Sequence, residues 1–153
     1  MSGIIGSVGS KSGVIGTTEL DYEEGTWTAT CNNGVTLYSS VDLGSYTKTG
    51  RMVTCGGQFR ILSSNSSSAL TFNLPFTSRA AAGESSELYT SSTIRMYGMN
   101  LDSDAVWVMG YVAGNTKVLE IQNSRDNLAA TACPATDGGS NYVMFSITYP
   151  TAE

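Results

Sequence analysis

The chain has 153 residues, enough for one domain with a core of its own. A net charge of −5 argues against binding nucleic acid by phosphate neutralisation, and the lack of any histidine removes the imidazole base of a Ser-His-Asp or Cys-His centre. Charged residues make up only 14% and glycines number 17, a balance that suits a turn-rich β fold better than a helical one.

Membranes are disfavoured on two counts. Net acidity opposes an anionic lipid surface, and no stretch approaches the roughly 20 apolar residues of a spanning helix. Residues 2–16 lack the basic leader of a secretory signal, and glycine interrupts their apolar positions repeatedly.

Taken in chain order, residues 1–18 read as an extended Gly/Ser-rich arm and residues 19–153 as the folded domain. Ile4, Ile5, Val8, Val14 and Ile15 are scattered through the arm, with Ser2-Gly3-Ile4-Ile5-Gly6 loosely echoed by Ser12-Gly13-Val14-Ile15-Gly16. Ordering each backbone residue costs about 1–2 kcal/mol and burying one aliphatic side chain returns about 1.5–3 kcal/mol. Five aliphatics do not offset the ordering of so glycine-rich a segment, so the arm needs a partner that also supplies backbone hydrogen bonds.

The acidic run Glu19, Asp21, Glu23, Glu24 is expected to be a solvated turn. It leads into a strand with Trp27, Ala29 and Cys31 on one face and Thr26, Thr28 and Thr30 on the other. Residues 44–50 run into a long strand whose Val53, Cys55, Phe59 and Ile61 share a face, with Gly56-Gly57 marking either a bulge or a close approach. A serine-rich loop at 63–68 precedes the strand of Leu70, Phe72 and Leu74, which Pro75 should end. Residues 78–87 form a small-residue linker with room for one helical turn at 79–82.

Strands are then expected at 88–97, 105–113 and 116–122, the last two joined by the hairpin signal Ala113-Gly114-Asn115. Residues 126–139 read as irregular, and a strand at 142–149 closes the domain. The segment 106–112 is apolar on both faces, Val106, Val108 and Val112 against Trp107, Met109 and Tyr111. A second layer or another subunit should therefore cover it. Many short strands separated by polar turns predict an all-β, antiparallel β-sandwich or jelly-roll-like domain behind an extended N-terminal arm.

Several of these segments together resemble a family of β-sandwich domains in tailed-bacteriophage virions, which includes tail-fibre head domains and capsid fibre or decoration proteins. They are residues 44–55, 70–76 and 142–149. The strongest is the run Gly16-Thr17-Thr18-Glu19-Leu20-Asp21-Tyr22-Glu23-Glu24-Gly25-Thr26-Trp27. The resemblance extends from Gly13 to Tyr149 and implies a homotrimer in the virion, assembled in the host cytoplasm, where no secretory signal is needed.

Chemistry is sparse. The acidic run and Asp102-Ser103-Asp104 could in principle meet a hard cation, but neither gathers enough neighbouring oxygen ligands, and turns explain both. Asp42, Asp102, Asp104, Glu120 and Asp126 could supply a glycosidase pair, yet nothing selects two of them. No enzyme, metal or cofactor is expected. Cys31, Cys55 and Cys133 have no ligand spacing, and Cys31 and Cys55 read as buried free thiols. A bridge between those two would need neighbouring strands and an oxidising compartment.

Two functions follow. The first is a capsid decoration, or cement, protein that stabilises the head shell. The chain opens on Met1 and shows neither a long shaft nor a docking domain. Ile4, Ile5, Val8, Lys11, Val14 and Ile15 would bind the major capsid protein or another virion protein, and Trp107, Met109 and Tyr111 would form the subunit interface. The second is a tail-fibre or receptor-binding tip for a host-surface glycan. Its aromatics would come from Tyr38, Tyr46, Tyr89, Tyr97, Trp107 and Tyr111, and its specificity from loops 63–68 and 136–141.

Overall fold

The computed structural model describes residues 21–31, 34–38, 43–63, 69–80, 90–99, 101, 103–133 and 141–152. The arm at 1–18 and most of the linker and loop segments at 64–68, 81–89 and 134–140 lie outside them. Strands β1 (Tyr22–Thr28), β2 (Thr36–Leu37), β3 (Leu43–Thr49), β4 (Met52–Ser63) and β5 (Thr71–Asn73) occupy the first half of the chain. The second half contributes β6 (Thr90–Tyr97), β7 (Ala105–Val112), β8 (Val118–Arg125), β9 (Leu128–Ala132) and β10 (Asn141–Pro150). All pairings are antiparallel, in the order β1-β3-β4-β10-β6-β7-β8-β5, with β2 on the edge of β4 and β9 on the edge of β8. No helix occurs among the described residues.

The sheet folds on itself through β6. Residues 93–97 of β6 pair with β10, while residues 90–92 pair with β7, so one strand serves both layers. The first layer is β1-β3-β4-β10 with β2, and the second is β7-β8 with β5 and β9. Their free ends approach where Cys31 bridges Phe72, and the Asn73 amide donates to the Thr30 carbonyl at 2.9 Å. The sheet stays open, and the product is a β-sandwich.

Alternation supplies the core. From the first layer, Trp27, Val53, Cys55, Phe59, Ile61, Val143, Phe145, Ile147 and Tyr149 are buried; Leu70, Phe72, Val112, Leu119, Ile121 and Cys133 meet them from the second. Phe59, Phe72 and Phe145 form a triangle with ring centroids 5.2–5.3 Å apart, inside the favourable aromatic range. Phe72 is the member from the second layer, so this triangle spans the sandwich.

Two reciprocal glycine–aromatic pairs shape the β1–β3 ladder. Gly25 lies opposite Tyr46 and Trp27 opposite Gly44, so each ring lies over the glycine of its partner strand. A Cβ at Gly44 would overlap the indole. Gly57, on the next strand, lies beside Gly44 and leaves the indole a route to Phe59, 6.0 Å between centroids. The indole Nε1 donates to the Asn73 carbonyl at 3.1 Å, which ties β1 to β5 across the sandwich. At Gly56-Gly57 the β4–β10 register runs unbroken from Met52 to Ile61, so the pair marks a close approach, and a Cβ on Gly56 would strike the Phe145 carbonyl.

Several expectations change. Glu23 and Glu24 lie within β1 instead of in a turn, because the ladder to β3 extends back to Tyr22. Residues 128–132, read as irregular, form β9, which closes a hairpin through Asn127 at φ 55°. Alanines with little β propensity hid that strand, and pairing with β8 overrides them. The β7–β8 hairpin turns at the expected Ala113-Gly114-Asn115, with Asn115 in the left-handed region (φ 64°). Within this chain the facing layer covers only part of the segment 106–112: Val112 is buried, but Val106 is 67% exposed and Trp107 62%. A register shift between Ala105 and Trp107 falls where the strand leaves the core.

Two outcomes test this packing. Gly44→Ala should cost about 1–3 kcal/mol in denaturant unfolding by overpacking against Trp27, whereas Gly50→Asn, in a turn with φ +56° and open space, should be near neutral. Asn123 is fully buried, and neither amide atom has a hydrogen-bond partner. Asn123→Leu should therefore raise the unfolding free energy by about 1–3 kcal/mol.

Candidate functional site

The acidic run of β1 is absorbed by its neighbours. Lys48 Nζ lies 3.1 Å from Asp21 and 5.6 Å from the Phe76 ring centre, so a nearly buried ammonium has both a counter-charge and an aromatic face. The Tyr46 hydroxyl donates to Glu23 at 2.6 Å, and the Tyr22 hydroxyl donates to Glu24 at 2.8 Å. These carboxylate hydrogen bonds raise both phenols above their ordinary pKa. Asp104 pairs with Arg125 at 3.3 Å. No group of three or more metal-ligating side chains occurs among the described residues.

The thiols are free. Cys55 is buried on β4 and Cys31 sits at the bridge to Phe72, with β3 between their strands, so the neighbouring strands that a disulfide would need are not present. Burial pushes both thiols up to about 12 from 9.0. The folded state therefore holds these protons more tightly than the unfolded chain. Their contribution to stability should be intact below pH 9 and lost as pH rises from 9 toward 12. A thiol reagent at pH 8 should label neither Cys31 nor Cys55 until denaturant is added, which mass spectrometry can follow.

Two surfaces remain, one on each layer. On β7, Trp107, Met109 and Tyr111 share the outward face. Trp107 is exposed, while Met109 and Tyr111 are half-buried beside Gln122 and Glu120 of β8. Val106, Trp107, Ser124, Arg125 and Asp126 line a depression of about 290 Å³, and Leu128, 60% exposed, pairs with Arg125. Val106, Trp107 and Leu128 are the large apolar side chains exposed at this end; Leu43, Met52 and Leu62 are exposed elsewhere on the sandwich.

On the outer face of the other layer, the pairing register aligns side chains in rows across the strands. Tyr97, Tyr142 and Arg60 are directly paired on β6, β10 and β4, and the Tyr38 amide donates to the Arg60 carbonyl at 3.0 Å. The Arg60 guanidinium lies 4.9 Å from the Tyr38 ring centre and 5.9 Å from that of Tyr142, and the Tyr142 and Tyr97 rings are 6.4 Å apart. The adjoining row holds Gln58, Met144 and Arg95; beyond it lie Thr26, Ser45, Gly56, Ser146 and Thr93. A shallow depression of about 390 Å³ lies at Gly56, lined by Ser45, Thr47, Thr54 and Ser146 among others.

Of the aromatics read from sequence, the fold brings Tyr38 and Tyr97 into one row. Tyr46 turns to the inner face and Glu23, and Trp107 and Tyr111 lie on the opposite layer. Tyr89 and the arm residues Ile4, Ile5, Val8, Lys11, Val14 and Ile15 lie outside the described residues. Tyr142 and Arg60 escaped the sequence reading. Tyr142 lies in the alternation of β10, out of phase with buried Val143 and Phe145, and that phase was the available signal.

Comparisons with family models, with curated proteins and with solved structures find no match for this chain.

Proposed function

We propose that the chain is a structural, non-enzymatic virion protein of a tailed bacteriophage. Its role is capsid decoration: it binds and stabilises the head shell as a homotrimer. The observation that carries this reading is the exposed Val106, Trp107 and Leu128 around the outward face of β7. Burying each such side chain is worth about 1.5–3 kcal/mol, and a closed threefold arrangement covers all three copies at once. The arm, through Ile4, Ile5, Val8, Lys11, Val14 and Ile15, contacts the major capsid protein. Its glycines allow the backbone close approach, and three arms on one trimer act together.

Sedimentation at micromolar concentration should show a trimer. Trp107→Glu should shift it to monomer with little change in melting temperature, because the side chain is exposed; a monomeric parent protein would contradict the reading. Removing residues 2–15 should leave the trimer intact while abolishing binding to shells. Loss of the trimer, or undiminished shell occupancy, would place the arm elsewhere.

A second reading, a tail-fibre or receptor-binding tip for host-surface glycans, is favoured by the row of Tyr38, Arg60, Tyr142 and Tyr97. Tyrosine rings stack on the apolar faces of sugars while their hydroxyls stay wet.

A further inference from the structure

We infer that the trimer closes by strand addition: the edge of β9 in one copy, at residues 128–130, pairs with the edge of β7 in the next, at residues 105–109. The inference rests on the homotrimer reading and deepens it by naming the two edges that meet. In this part of the second layer β8 lies between β7 and β9. The ladder from β6 reaches only residues 110–112 of β7, because β6 then turns to β10. Among the described residues, 105–109 therefore end the sheet on one side and β9 ends it on the other.

Exposure follows these edges. Val106 and Trp107 are exposed on β7, and Leu128, Ala129 and Ala130 on β9, while every residue of β8 between them is buried or half-buried. An edge strand that exposes apolar side chains is a template for a strand of another chain.

Register selects the occupant. Ala105 lies opposite Arg125, which in turn lies opposite Leu128, so the two edges stand at one level along the strands. Copies related by a closed rotation have no rise between them, so edges that join must share a level. Both β7 and β9 run antiparallel to β8, and hence parallel to each other. Rotation about an axis along the strands preserves their direction, so β9 meets the next β7 in parallel. A two-fold dimer would join like edges and leave the other kind exposed, whereas a cyclic ring covers both in every copy. The inner face of β7 belongs to the core through Val112, so its outer face, with Trp107, turns toward the axis.

The test is disulfide trapping of the full chain carrying Ala105→Cys and Leu128→Cys. Within one copy these positions are two strand spacings apart, about 10 Å, beyond the roughly 7 Å that a disulfide spans. Oxidation can therefore join them only between copies, and a covalent trimer is expected. The pair Leu43→Cys and Met52→Cys, exposed on the first layer, should give no covalent species. In the unsubstituted trimer, amides of residues 105–109 and 128–130 should exchange about tenfold or more slowly than in the Trp107→Glu monomer. A trimer that leaves those amides unprotected, or whose folded cysteine variant forms no cross-link, would overturn the edge pairing and leave the homotrimer standing. Cross-linking that stops at dimers, or runs on into open polymers, would overturn the closed ring. A monomeric parent protein would overturn both.

Discussion

Phe72 stands on a strand of three residues, yet it meets Phe59 and Phe145 from the opposite layer, and both layers are organised around that contact. The strand is short but well anchored. Its flanks hydrogen-bond to Lys117, Ile121 and Cys133 on one side and to Thr30 on the other. Trp27 adds a second crossing from β1 to the Asn73 carbonyl. An aromatic triangle of this kind is worth more than its buried area alone, by about 0.5–1.5 kcal/mol for each ring pair. Without Phe72, the open end between β1 and β5 would keep the hydrogen bonds of Trp27 and Thr30 to Asn73 but lose its aromatic contact with the opposite layer.

This inner packing leaves the outer faces free to differ. Because successive side chains alternate, each core residue on β4 and β10 fixes the outward position of its neighbour. Phe59 sets Arg60, and Val143 sets Tyr142. A one-residue slip would carry Arg60 and Tyr142 into the core and Phe59 out of it, so the tyrosine row is as well specified as the core itself. The exposed end of β7 differs in register. The register shift beside Trp107 re-aims that stretch away from the core, as irregularities near functional edges commonly do.

Much of the fold was legible where hydrophobic period and position agreed. The phase of Trp27, Ala29 and Cys31, the long face from Val53 to Ile61, and the stop at Pro75 all follow from local pattern. What escaped depended on partners distant in sequence. Residues 128–132 lack β-branched or aromatic side chains except for one threonine, and they are a strand only because β8 offers an edge. The acidic run looked like a turn because its neutralising groups, Tyr46 and Lys48, lie more than twenty positions away. The placement of β10 between β4 and β6 cannot be read from any window, since it joins the end of the chain to its middle. For the same reason the sequence offered aromatics as a list, and only the register showed that Tyr38 and Tyr97 share a row with Tyr142 and Arg60.

One end of the sandwich exposes Val106, Trp107 and Leu128, and the outer face of the other layer carries the tyrosine row; the proposed role is one of placement. Placement is thus the central claim, and electron microscopy of intact virions with this chain located tests it most directly. The account predicts hundreds of copies over the head, grouped in threes, with the Trp107 ends meeting at each threefold axis. A few copies confined to the tail would contradict it.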